Sequence, residues 1–304
     1  MKNATRAFLV LFVFLTASGL AQDKTRLIID ADTANEVDDL YAIVRALIEP
    51  SFEIVGLNST QWQCSHWATD NTLEDSHRLN VLLLGYLDKM SIPHPRGAHF
   101  RLYDWGQDVA QHSAAAYHII EQAHETPENE KLVVIALGAT TNVASALLID
   151  PSIVPKIKLY LLGTSYDFDT KIWKKRDFNC INDIQAINVV LDTEGLETHI
   201  MPVNVASALT FNMQKARAEF KDKHPLLNYL YQRWYTHIDA GRYRRVIWDL
   251  SVIEALIHPQ LAIEQIVTAP PENTNRNVFV YSSINADEMK NYFYQKMGKY
   301  FAEN

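Results

Sequence analysis

Four aspartates stand within one short stretch, Asp30-Ala31-Asp32-Thr33-Ala34-Asn35-Glu36-Val37-Asp38-Asp39. The apolar run Leu27 to Ile29 precedes them, and from Leu40 the apolar residues follow helical spacing at Ile43, Val44, Leu47 and Ile48 until Pro50. The carboxylates therefore occupy a strand-to-helix loop and the first turn of the helix. A helix N-terminus favours acids at Asp38 and Asp39 through its dipole, but that leaves Asp30 and Asp32 at a strand end without a reason. Like charges so close repel unless a cation compensates them. Oxygen-only ligation suits calcium or magnesium, whereas zinc would bring histidine or cysteine. His66, His94, His99 and His112 share no metal-ligand spacing and are read as surface or satisfied polar groups.

The elements that must position these residues alternate. Leu27–Ile29, Ile54–Leu57, Leu132–Leu137, Lys158–Leu162 and His199–Val203 read as strands, separated by amphipathic segments at about 73–87, 114–123 and 183–190. Helical segments at about 225–238 and 248–257, an apolar strand near 278–281 and a closing helix follow. This pattern predicts an α/β fold with a mainly parallel central sheet flanked by helices, a Rossmann-like core, and a site beyond the carboxyl ends of the strands. Residues 1–21 read as a signal peptide: Lys2 and Arg6, the apolar run Ala7–Ala17, then Gly19-Leu20-Ala21. Residues 22–304 form one domain, and the protein is expected to be exported, periplasmic or secreted. With 48% hydrophobic residues the chain can build a large core, and a formal charge of -8 excludes a nucleic-acid partner. Cys64 and Cys180 are the only cysteines, which permits one disulfide and leaves the pairing open.

The aspartate loop resembles the signature of the nucleoside hydrolase family, inosine/uridine-preferring members included, in the longer form carried by exported bacterial-type members. Three later segments agree in order: Ala136-Leu137-Gly138-Ala139-Thr140-Thr141-Asn142, Asp177-Phe178-Asn179 and Trp248-Asp249. The resemblance implies the family's sheet and a calcium-dependent (Ca2+) hydrolysis of the N-glycosidic bond of ribonucleosides or related ribosides, giving ribose and free base. It implies that Asp32, Asp39, Asp249 and the backbone carbonyl of Thr141 are metal ligands, and that Asp32 also removes the proton of the attacking, metal-held water. Asp38, Asp177 and Asn179 would hold ribose hydroxyls, and Asp30 would support the loop. Asp177 is shorter than the family's usual glutamate, Ala34 replaces a loop glycine, and Trp248 stands where many members carry a histidine that protonates the departing base. An aromatic set, Tyr41, Trp62 and Trp67, is placed either at a base pocket or in the core.

Two other readings use the same residues. Ile28–Thr33 also resembles the nucleophile motif of haloacid-dehalogenase-like phosphatases, where Asp30 would attack phosphorus and Asp32 act as acid and base with magnesium, although the later acidic pair such enzymes need is missing. An exported non-catalytic nucleoside- or sugar-binding protein would use calcium as a grip, but has no use for a base at Asp32. The expected partner is a small nucleoside or riboside, with no membrane after signal cleavage; self-association into a homo-oligomer is left open.

Overall fold

A computed structural model describes residues 24–105, 108–238 and 242–303; the expected signal peptide lies outside them. The strands β1 (Thr25–Ala31), β2 (Phe52–Ser59), β3 (Leu132–Ala136), β4 (Ile157–Leu162), β5 (Glu197–Met201), β6 (Ala262–Thr268) and β7 (Asn277–Ile284) form one seven-stranded sheet. Their order is β6-β7-β5-β4-β3-β1-β2. All neighbours run parallel except β6, which lies antiparallel on β7 as an edge. The expected mainly parallel sheet is therefore present.

Side chains alternate across the sheet and divide the core into two layers. Leu27, Ile29, Val133 and Ile135 face one layer, covered by α1 (Asp38–Leu47), α2 (Thr72–Tyr86), α6 (Pro225–Thr236), α7 (Trp248–Ile257) and α8 (Ala286–Glu303). Ile28, Val134, Leu159 and Ile200 face the other, against α3 (Ala114–Glu125), α4 (Thr141–Ile149) and α5 (Ile184–Asp192). Burial on both faces explains why these strands read as continuous apolar runs. Tyr41 packs with Phe211, Phe220, Trp234 and Phe293 in the first layer, so it is core, and neither Trp62 nor Trp67 lines the aspartate-bearing cavity at the strand ends. Among the described residues no helix is long and apolar enough to cross a membrane.

The parallel order aims the C-terminal ends of β1, β3, β4 and β5 at one edge of the sheet, where their following loops meet the first turns of α1 and α7. Two short ribbons, Ser165–Asp167 with Ile172–Lys174 and Thr210–Asn212 with Arg244–Val246, complete that edge. Cys64 and Cys180 are both free thiols in the structure, one exposed and one buried.

Candidate active site

A cavity of about 450 Å³ opens at the strand ends, lined by five aspartates (Asp32, Asp38, Asp39, Asp177, Asp249) and Glu36, together with Asn35, Asn179, Trp248 and apolar residues such as Leu137, Leu162 and Val203. Among the described residues no lysine or arginine lines it, although Arg245 pairs with the lining residue Glu36 at 3.1 Å.

The strand-to-helix turn after β1 places the first carboxylates. Asn35 donates its backbone N–H to the Asp32 carbonyl at 2.8 Å, closing the turn, while the Asn35 carbonyl accepts from Trp67 Nε1 at 2.9 Å. Gly138, in the loop after β3, lies directly on Asp32. A Cβ there would come within 3.0 Å of Asp32 Cβ and 2.5 Å of Thr60 Oγ1, so only glycine allows the two loops to approach. Asp38 and Asp39 occupy the first turn of α1 and Asp249 the first turn of α7, all three buried. One carboxylate oxygen from each of these three lies within 4.8 Å of the others, an arrangement that can hold a cation. Asp32 stands beside this group, close enough for its charge to act on Asp39 and Asp249.

Four buried carboxylates without a cation take up protons instead. Burial pushes Asp32 well up, and the charges of Asp38 and Glu36 add to it. Asp39 is raised by burial and then by Asp32 and Asp38; Asp249 is raised by burial and then by Asp38, Asp39 and Asp32. Asp38 is raised less, because after burial its hydrogen bond with Asp249 and the charge of Arg245 favour its ionised form. Two unit charges 4 Å apart repel by about 4 kcal/mol at an effective dielectric of 20, so this grouping stands only with protons or a cation in it. The oxygens left without a hydrogen-bond partner identify where a cation fits: Asp32 Oδ2, Asp39 Oδ1 and Asp249 Oδ1. Asp38 is absent from that set.

The remaining expected site residues fall in three positions. Asp177 caps the short helix Phe178–Asn182; one oxygen accepts from Cys180 N–H at 3.1 Å and the other from Thr164 N–H at 2.7 Å. Thr164 sits at φ 59°, an unusual backbone for a β-branched residue, with its N–H tied to Asp177 and its carbonyl to Val203 N–H. Asn179 donates both amide hydrogens, to the carbonyls of Leu137 at 2.6 Å and Leu162 at 3.1 Å, and so bridges the ends of β3 and β4. Trp248, partly buried against the core, lines the cavity beside Asp249. Thr141 opens α4 and donates its hydroxyl to Asp183 Oδ2 at 2.7 Å; it does not line the cavity.

Asp30 is fully buried, is pushed up to about 7 by burial against hydrogen bonds from Asn142 and Asn58, and does not line the cavity. Asn142 Nδ2 donates to it at 2.9 Å and to the Ser59 carbonyl at 3.2 Å. A sealed carboxyl cannot attack phosphorus, which removes the phosphatase reading. Sequence reasoning did not single out Asn35, Glu36, Ser165, Val203, Asn204 and Ser207 as cavity residues. The acid-rich loop gave a signal for Glu36; the rest arrive through topology.

A family model described as inosine-uridine preferring nucleoside hydrolase matches residues 27–291 of the chain. The chain is 26% identical over 260 residues to a probable uridine nucleosidase 2 of Oryza sativa subsp. japonica, covering 77% of this chain and 74% of that protein. It is 25% identical over 264 residues to uridine nucleosidase 1 of Arabidopsis thaliana, covering 78% and 75%. In three dimensions it resembles a plant nucleoside hydrolase with a TM-score of 0.72 at 16% identity, over 90% of this chain and 99% of that one, a likeness of fold.

Proposed function

Since the chain belongs to the inosine-uridine preferring nucleoside hydrolase family, we propose that it is an exported, calcium-dependent enzyme that cleaves the N-glycosidic bond of ribonucleosides with Asp32 as the base. The observation that carries this reading is the set of buried, unpartnered carboxylate oxygens on Asp32, Asp39 and Asp249, the same three side chains expected to hold the ion. Calcium, which takes six to eight oxygens at about 2.4 Å, would supply charge that acidifies a water and coordination for vicinal sugar hydroxyls.

The protein's own groups supply the rest. Asp32 Oδ2 makes no hydrogen bond among the described residues and would accept the proton of the attacking water. Asp38, on the same helix turn as Asp39, is placed to accept from a ribose hydroxyl. Asp177 retains lone pairs beyond the two backbone amides it caps, and Asn179, whose amide hydrogens are both engaged, can offer only its side-chain oxygen. Each is thus an acceptor for sugar hydroxyls. The surrounding carboxylates stabilise positive charge developing on the ribose as the base departs. Trp248 has no acidic proton to give the base but offers a ring face to stack on. Leaving-group help is therefore weaker than a histidine would give.

Incubation with inosine, uridine, p-nitrophenyl riboside and p-nitrophenyl phosphate, with calcium or with chelator, tests this reading. Free sugar is expected from the ribosides only in calcium, fastest from the nitrophenyl compound, and Asp32→Asn should lower turnover by about 10²-fold or more. Phosphate release, or Asp32→Asn turnover within a few-fold of the parent, would overturn it.

A further inference from the structure

Of the carboxylates that would hold the cation, Asp32 follows β1, whereas Asp39 and Asp249 come from two different helices, α1 and α7, which pack on each other in the core. All ten residues of α1 are buried, and Asp249 to Ala255 of α7 are buried as well. Apolar contacts between such helices are not directional, so they fix axial register less sharply than a hydrogen bond does. One residue of slide moves a helix by about 1.5 Å. That is a large displacement for Asp39 and Asp249, whose oxygens lie within 4.8 Å of each other.

One directional bond joins the two helices beyond their first turns. Arg45 of α1 donates from Nε to Glu254 Oε1 of α7 at 2.9 Å, with the side chains 2% and 0% exposed. Arg45 lies six residues after Asp39 and Glu254 five after Asp249, about 9 Å and about 7.5 Å down their axes. The guanidinium is held at its other side by Glu49, 2.7 Å away, and Glu49 by Lys296 of α8 at 3.7 Å. His258 lies 3.6 Å from the second Glu254 oxygen. A pair this deep adds little net stability, since the desolvation of both charges offsets their attraction, and apolar residues of similar size often serve as well. Burial in fact holds Glu254 up at about 7 despite the Arg45 charge. What the apolar alternative lacks is a fixed register.

We propose that the buried Arg45–Glu254 pair is a positioning device that sets the axial register of α1 against α7, and so brings Asp39 of one helix to the separation from Asp249 of the other that a shared cation requires. This rests on the proposed reading of those carboxylates as the cation site. Neither residue touches substrate or ion.

The test replaces the pair by Arg45→Met with Glu254→Leu in the full chain and measures calcium affinity by calorimetry alongside thermal unfolding in chelator. The expected result is a melting temperature in chelator close to the parent's and a calcium affinity weaker by about 10-fold or more, the scale on which groups behind metal ligands act. Arg45→Lys keeps the charge but not the two-sided fork, and should weaken calcium binding several-fold with the fold retained. Parent-like affinity in the double variant overturns the proposal, as does parent-like affinity in Arg45→Lys if the double variant fails to fold. A parent that takes up no calcium overturns the cation site itself, a result distinct from either.

Discussion

The two ends of the sheet treat buried acid in opposite ways. At the N-terminal end of β5, burial pushes Glu197 up, but hydrogen bonds from Lys158, Lys131 and His199 and the Lys158 charge hold it down at about 2. At the C-terminal end, Asp32, Asp39 and Asp249 are more deeply buried, no lysine or arginine among the described residues lines the cavity, and all three are raised. Glu197 comes with its own counterions, as a group that serves the fold does. In the cavity Arg245 pairs with Glu36 and acts on Asp38, but Asp32, Asp39 and Asp249 carry no ion pair among the described residues, which costs stability unless something from solution completes the set.

The sharpest way to break this contrast is Asp249→Ala. It should reduce kcat/KM by at least about 10²-fold and abolish tight calcium uptake, without lowering the melting temperature in chelator, because a repelling carboxyl is removed. Unchanged calcium binding by calorimetry would remove Asp249 from the site. A smaller effect is expected with pH. Groups whose pKa is raised on folding hold protons that the unfolded chain releases, so the chelated protein should lose stability as pH rises from near 3.8 upward, Asp30 contributing until about 7. For each proton held only in the folded state the slope is about 1.4 kcal/mol per pH unit. Calcium should flatten or reverse that slope between about pH 5 and about pH 8, and melting curves in chelator that rise across this range would contradict the assignment. The smallest effect belongs to the other end of the sheet. Lys158→Met should cost no more than about 1 kcal/mol, the pair being partly exposed, with calcium affinity unchanged; a shift in calcium affinity would mean that the two ends are coupled.

Much of this was legible in the sequence because burial on two faces leaves a simple mark. The run Leu27–Ile29 and the period Leu40, Ile43, Val44, Leu47 gave β1 and α1, hence the loop between them and the first turn bearing Asp38 and Asp39. The edge strand β6 was not read, since Ala262–Thr268 mixes exposed Ile263 and Ile266 with Glu264 and Gln265 and follows no period. The ribbons of three residues per strand are too short to show one. Ser165, Val203, Asn204 and Ser207 reach the cavity only because β4 and β5 are neighbours in the sheet. Asp183 was invisible as a hub: it accepts from Thr141, Leu102 and Ala186 and ties α4 to α5, yet one aspartate before a helix carries no sign of it.

The carboxylates on the cavity wall also bear on traffic. Those cavity carboxylates that are ionised and not offset by Arg245, which pairs with Glu36, project a negative potential beyond the mouth, over a distance set by the roughly 10 Å screening length of 0.1 M salt. A divalent cation is drawn in by that field and arrives more slowly as ionic strength rises. Phosphorylated nucleosides meet the same field as a barrier, whereas a neutral nucleoside crosses it without penalty, so the wall sorts visitors by charge before any contact with the sugar is made.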